Sequence, residues 1–292
     1  MRTPAVLEGL AARSSRPSGH EGYANPHLLV SPEWLEAHLD DPQVRIVDLR
    51  LAEAYRRGHI RNAVHLDLEH ICATVNGVPE IVASQEVVEA VLGRLGISHD
   101  TTVVAYDNVW GLVAARLFWT LEYYGHEDVR VLDGGSDRWA EEGREFTPEV
   151  PHIVPTTYSA RPRPNKLATR AWILAHLGDP DLVLLDARSP SEYNGLSQDA
   201  AQGGHLPGAV NLDWMESVAF DGRSMIKRGE ELRAMLAQKG IVEDKEVVAY
   251  CETGMRSAHT YFVLRLLGFP RVRNYDGSWV EWVARTDLPI ER

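Results

Sequence analysis

The residue best equipped for covalent chemistry is Cys251, which opens the stretch Cys251-Glu252-Thr253-Gly254-Met255-Arg256-Ser257. The apolar run Glu246 to Tyr250 predicts a buried strand that ends directly on this cysteine, and a helix is predicted from about Ser257. In such a strand-to-helix turn the backbone N–H groups converge on the centre, and the positive end of the helix points at the same place. A cysteine held there should be a thiolate at neutral pH without a histidine base, and the thiolate is the nucleophilic form. Gly254 suits a turn that needs positive φ or close backbone approach. A cysteine at a strand end can also be mere core filling. The glycine, the arginine and the helix that follow Cys251 favour chemistry.

Arg256 and Arg188 are the candidates to hold an anionic substrate, because arginine presents a fork of donors and never loses its charge. Cys72 has no comparable loop around it and is expected to be a buried spectator. The histidines are scattered without metal-ligand spacing, so no metal is expected.

The elements that position this loop belong to a duplicated unit. Trp34-Leu35-Glu36-Ala37-His38-Leu39 recurs as Trp172-Ile173-Leu174-Ala175-His176-Leu177, and Ile46-Val47-Asp48-Leu49-Arg50 as Leu184-Leu185-Asp186-Ala187-Arg188. Gly58-His59-Ile60 to Asp67 matches Gly204-His205-Leu206 to Asp213, with extra residues in the second copy around Leu196 to Gly203. Val103-Val104-Ala105-Tyr106 matches Val247-Val248-Ala249-Tyr250, and Asp133-Gly134-Gly135-Ser136 matches Asp276-Gly277-Ser278-Trp279. Within each copy short apolar runs alternate with helical windows such as Ala114 to Tyr124 and Ser257 to Leu267. That alternation predicts an α/β fold of two tandem domains, each a mainly parallel sheet flanked by helices.

The chain has 292 residues, 44% of them apolar and 25% charged, enough for two packed cores. Its net charge of −12 argues against nucleic acid and anionic membranes as partners. An anionic substrate therefore needs a local positive pocket. Two cysteines make no disulfide framework and fit a reducing, cytoplasmic setting. Residues 1–26 read as a flexible N-terminal extension; a mitochondrial location follows if its arginines and serines act as a transit peptide. Residues 27–146 form the first domain, 147–166 a Pro-rich linker and 167–292 the second domain.

The Cys251 loop resembles the active-site loop of rhodaneses, the thiosulfate sulfurtransferases. So do the Asp186-Ala187-Arg188-Ser189 strand end, the Gly204-His205-Leu206-Pro207-Gly208-Ala209 segment and the Tyr275-Asp276-Gly277-Ser278-Trp279 turn. The likeness covers residues 27 to 290 and is closest to the bacterial Cys-x-x-Gly-x-Arg-Ser type. It implies two tandem rhodanese-like domains, the first without activity because Asp107 stands at the cysteine position. It also implies that Cys251 takes the outer sulfur of thiosulfate or a related small donor as a persulfide, releases sulfite, and passes the sulfur to a thiophilic acceptor such as cyanide, a thiol or an acceptor protein. No cofactor is implied. Glu252, Thr253, Gly254, Met255, Arg256 and Ser257 would cradle the persulfide, with Arg188 and Arg256 on the substrate anion.

The vertebrate thiosulfate enzymes carry basic residues where this chain has Glu252 and Thr253. The mercaptopyruvate enzymes favour a Cys-Gly-Ser-Gly-Val-Thr loop, and both carry an arginine where this chain has Glu192. Glu252 moreover sets a negative charge beside a site for a dianion. 3-Mercaptopyruvate therefore competes with thiosulfate as the expected donor. The fold is shared with cell-cycle phosphatases, which need Cys-x5-Arg; here four residues separate Cys251 from Arg256, a tighter ring suited to sulfur. A non-catalytic binding module is the remaining alternative, and the cysteine itself argues against it. Trp110, Glu192 and Trp279 are further candidates for the cleft, although Trp279 is expected to be mainly structural and Trp110 fits the interface or core equally well. Arg116 is expected to be interface or core filling.

Overall fold

A computed structural model describes residues 22–197, 202–220 and 224–292. In the first half the strands are β1 (Leu29–Val30), β2 (Val44–Asp48), β3 (Val64–His65), β4 (Cys72–Val75), β5 (Val78–Val82), β6 (Thr102–Tyr106) and β7 (Val129–Leu132). The helices there are α1 (Pro32–Ala37), α2 (Ala52–Arg57), α3 (Gln85–Arg94), α4 (Leu112–Tyr123) and α5 (Gly135–Glu141). The second half repeats the plan with β8 (Leu167–Ala168), β9 (Leu182–Asp186), β10 (Val210–Asn211), β11 (Glu246–Tyr250) and β12 (Val272–Tyr275). Its helices are α6 (Arg170–His176), α7 (Pro190–Tyr193), α8 (Gly229–Gln238), α9 (Met255–Leu267) and α10 (Ser278–Val283).

Each half builds one parallel sheet, in the order β1-β7-β6-β2-β3 and β10-β9-β11-β12-β8. The central strands β6 and β11 are buried along nearly their whole length, which is why both read as unbroken apolar runs rather than as alternating ones. Equivalent braces recur. His59 stacks on Tyr55 at 3.8 Å and His205 on Tyr193 at 3.7 Å, and each ring bonds the backbone of the tyrosine it covers.

The halves meet through α4 and α9, the helices that follow the two central strands. Phe118 packs edge-on against Phe262, with ring centroids 4.9 Å apart. Tyr261 donates to Glu122 at 2.6 Å, and Arg265 pairs with the same carboxylate. Because both helices are apolar nearly all round, they can be satisfied only when buried against each other and their own sheets.

The antiparallel β4–β5 hairpin reaches from the first half to the second, where the Val82 N–H donates to Asp276 at 2.8 Å.

Two segments outside the sheets are held more firmly than their composition suggests. Residues 1–21 of the N-terminal extension lie outside the described residues, but Tyr23 and Asn25 are held against the second domain. The Tyr23 hydroxyl bonds the Lys227 carbonyl at 2.8 Å, and the Asn25 amide bonds the Arg265 carbonyl at 2.7 Å. The Pro-rich linker has little regular structure apart from a 3-10 turn at Pro164–Lys166, yet it is packed down, with Tyr158 and Ala160 buried. Of the extra residues in the second copy, 198–201 lie outside the described residues.

Candidate active site

Strand β11 ends at Tyr250 and hands the chain to Cys251, whose backbone is locked from the far side. The Cys251 N–H donates to Ser278 Oγ at 3.1 Å, and the Cys251 carbonyl accepts the Trp279 N–H at 3.0 Å. Ser278 in turn donates to the Tyr275 carbonyl at 2.7 Å. The turn after β12 therefore serves as a rigid back wall. These two contacts give Ser278 a part that its sequence motif suggested only by resemblance.

The helix starts earlier than expected, at Met255 rather than near Ser257. Gly254 adopts φ +85° as the residue before the helix, which only glycine does cheaply. The turn thus shrinks to Glu252, Thr253 and Gly254, and the first helical turn faces the cysteine. Cys251 Sγ accepts the Gly254 N–H at 3.2 Å and lies 3.5 Å from the Ser257 hydroxyl. The thiol is 1% exposed.

The site residues anticipated from the sequence are not all brought to the sulfur. Arg256, on the first turn of α9, lies within Coulombic reach of Cys251 but is gripped by Glu192 at 2.7 and 2.8 Å. Burial would pull the Arg256 guanidinium down; the Glu192 bonds outweigh it and hold it up. Burial likewise pushes the Glu192 carboxyl up, but its bonds from Arg256 and Ser189 bring it down to about 2. Glu192 is also the third-position acid of a capping box with Ser189 at the start of α7. Glu252 stands at the rim, and burial raises its carboxyl above the usual range despite the nearby Arg188 charge.

Arg188 is not a free anion binder. It is fully buried, bonds Asp186 at 2.6 Å and the Gly204 carbonyl at 2.8 Å, and lies over the Trp279 ring at 4.4 Å. Arg50 makes the same bonds to Asp48 and the Gly58 carbonyl in the copy that has Asp107 in place of the loop cysteine. The pair is therefore a strand-end brace common to both copies, with only Arg188 Nη1 turned toward Glu252, 3.9 Å away.

Trp279 is likewise a core residue beneath Arg188 rather than a cleft residue. Trp110 is half-exposed with φ +56° and meets Phe220 edge-on at 6.1 Å. Cys72 is half-buried rather than buried; burial pushes its thiol up, against the Arg116 charge beside it. Arg116 was expected only to fill the interface, yet it reaches Asp276 and Gly254 in the second domain. Sequence reasoning missed this because the contact partner lies 138 positions away.

The rhodanese-like domain model matches residues 31–142 and again 169–285. The sulfur carrier protein TtuD of Thermus thermophilus is 40% identical over 285 residues, which cover 93% of this chain and 99% of that protein. A thiosulfate sulfurtransferase of Azotobacter vinelandii is 36% identical over 273 residues, again covering 93% and 99%. Among solved structures, the 3-mercaptopyruvate sulfotransferase SseA of Escherichia coli is similar with a TM-score of 0.78 and 27% identity, over 86% of this chain and 98% of that one. With one such match in each half and relatives aligned along nearly its whole length, the chain belongs to the rhodanese-like family.

Proposed function

We propose that this chain is a sulfurtransferase that moves the outer sulfur of thiosulfate, through a persulfide on Cys251, to a thiophilic acceptor. The Cys251 thiolate attacks the outer sulfur; the S–S bond of thiosulfate breaks, and sulfite leaves with the bonding electron pair. The acceptor then attacks the outer sulfur of the persulfide, and the thiolate is regenerated. The reading rests on one observation above all: a buried sulfur at a strand-to-helix turn that accepts the Gly254 N–H at 3.2 Å. Such donors stabilise an anionic sulfur before and after it gains a second atom. The added sulfur extends the nucleophile by about 2 Å. The Arg256 charge within Coulombic reach of the sulfur, a cysteine where the first copy has Asp107, and relatives named for sulfur transfer all support the assignment.

The Arg256–Glu192 pair favours a second donor reading. With Arg256 already neutralised and Glu252 at the rim, a dianion gains less than a monoanion, and 3-mercaptopyruvate carries a single carboxylate. Side-by-side kinetics with both donors and cyanide as acceptor, together with mass analysis of the thiosulfate-treated protein, test the proposal. The expected result is turnover with at least one donor and a gain of about 32 Da on the Cys251 peptide alone, because the activated thiolate is the attacking group. No turnover with either donor, or sulfur added to Cys72 instead, would overturn it.

A further inference from the structure

Arg116 comes from the first domain, which has Asp107 at the position of Cys251; it stands on α4, and none of its side chain is exposed. Its Nη1 lies 2.6 Å from Asp276 Oδ1 and donates to the Gly254 carbonyl at 3.3 Å, while Nη2 donates to the Glu80 carbonyl at 2.7 Å. The guanidinium also lies over the Trp119 ring at 4.6 Å. A buried cation is costly unless it is paired and hydrogen-bonded. Here Asp276, in the turn after β12, supplies the counter-charge, and the carbonyls of Glu80 and of Gly254 in the Cys251 loop accept the guanidinium N–H groups.

Gly254 is the residue whose N–H reaches the cysteine sulfur. Its surroundings leave little slack: a Cβ there would come 2.7 Å from the Asp276 carbonyl oxygen and 3.1 Å from Arg116 Nη1. Arg116 and Asp276 thus close the loop from behind while the sulfur faces the other way. At the matching position of α9 stands His259, which is buried and drawn down to about 4, hence uncharged at neutral pH. The cation is found only on the side that faces the cysteine loop.

We infer that Arg116 is a positioning residue for Cys251. Together with the buried Asn274 amide, which donates to the same oxygen at 3.2 Å, it holds the Gly254 carbonyl and so fixes the glycine's backbone and, with it, the direction of the Gly254 N–H toward the sulfur. The domain that lost the nucleophile therefore still completes the active loop of the other. The inference deepens the sulfurtransferase reading and rests on it for the turnover measurement, though not for the reactivity of the thiol.

Arg116→Met removes the charge and both donors at similar size. It is expected to lower kcat on the order of 10- to 100-fold, the scale of a small misplacement of a reacting group. KM for thiosulfate should move less than about threefold, because Arg116 touches no donor. Alkylation of Cys251 by iodoacetamide at pH 7 should slow in parallel, and Arg116→Lys should recover part of both rates. Arg116→Met leaves Asp276 buried without its partner; if it does not fold, Arg116→Met with Asp276→Asn removes both charges and is measured in its place. A folded variant with wild-type kcat and alkylation rate would overturn the inference. If the wild-type chain transfers no sulfur from either donor, the functional reading fails, and the alkylation rates alone decide the role of Arg116.

Discussion

In the first copy the residue after the central strand is Asp107, and in the second it is Cys251; the two loops treat these residues differently. The Asp107 carboxylate accepts four backbone N–H bonds, from Val109, Gly111, Val113 and Ala114, all at 2.8–2.9 Å. Burial raises its pKa, against the lowering by those four bonds. Cys251 Sγ accepts one backbone N–H and lies near one hydroxyl. The first loop is one residue longer between the central residue and the glycine that starts the helix, and it wraps a permanent guest. The second is shorter, and its single sulfur atom takes one of the loop's N–H groups. The comparison teaches that the same strand-to-helix turn aims backbone N–H groups at the residue after the central strand in both copies, four of them in one and one in the other.

The largest expected effect comes from making the two loops alike. Cys251→Asp should abolish sulfur transfer from any donor, a loss of at least about a thousandfold for removal of a covalent nucleophile. Circular dichroism should still report a folded chain, since an aspartate is accommodated at the matching position. Measurable turnover by this variant would break the comparison.

The converse change acts on stability. Asp107→Asn leaves only one acceptor oxygen for four N–H groups, so at least one buried donor loses its partner, at a cost of about 1–3 kcal/mol. Thermal unfolding should show a lower Tm, while kcat at 25 °C falls far less than in the cysteine variant. A Tm equal to the wild type would mean that the four bonds do not hold that loop.

The smallest effect concerns selectivity. Glu192→Gln frees Arg256 from its counter-charge and should lower KM for thiosulfate several-fold, with kcat changed less. Glu192 titrates at about 2 in the fold, below its free value. Its stabilising pair is therefore complete above the usual carboxylate range and is lost only as the pH falls toward 2. The difference in KM between the variant and the wild type should accordingly stay constant from pH 6 to pH 8. A KM unchanged by the substitution would show that the pair does not limit access of the dianion.

Much of this molecule was legible beforehand. Strands β6, β7 and β11 fall where their apolar runs predict, because strands buried on both faces need no alternation to be recognised. The duplication was readable because both copies keep the same bracing residues, such as the aspartate–arginine pair at the ends of β2 and β9. At that pair the sequence alone is ambiguous. An arginine two residues past a strand looks the same in a sequence whether its guanidinium faces solvent or a buried carboxylate. Only the contact with Asp186 decides that Arg188 is a brace. Trp279 reads from the sequence as structural, with a place at the cleft as its alternative, and it lies in the core.

What the sequence determined by itself is local and periodic: a doubled α/β unit, and a cysteine loop in one copy with an aspartate in the other. Hydrophobic spacing and turn residues act over a few positions, so they are written in neighbouring letters. The tertiary structure decided which charges meet. Glu192 clamps Arg256, Arg116 crosses between domains to Gly254, and Ser278 secures the Cys251 backbone, each over tens of residues or more. These pairings depend on how the helices and sheets pack, and no short-range pattern specifies that. Cys251 can thus be singled out as the candidate nucleophile from the chain alone, while the shape and charge of the space around it are set by the fold.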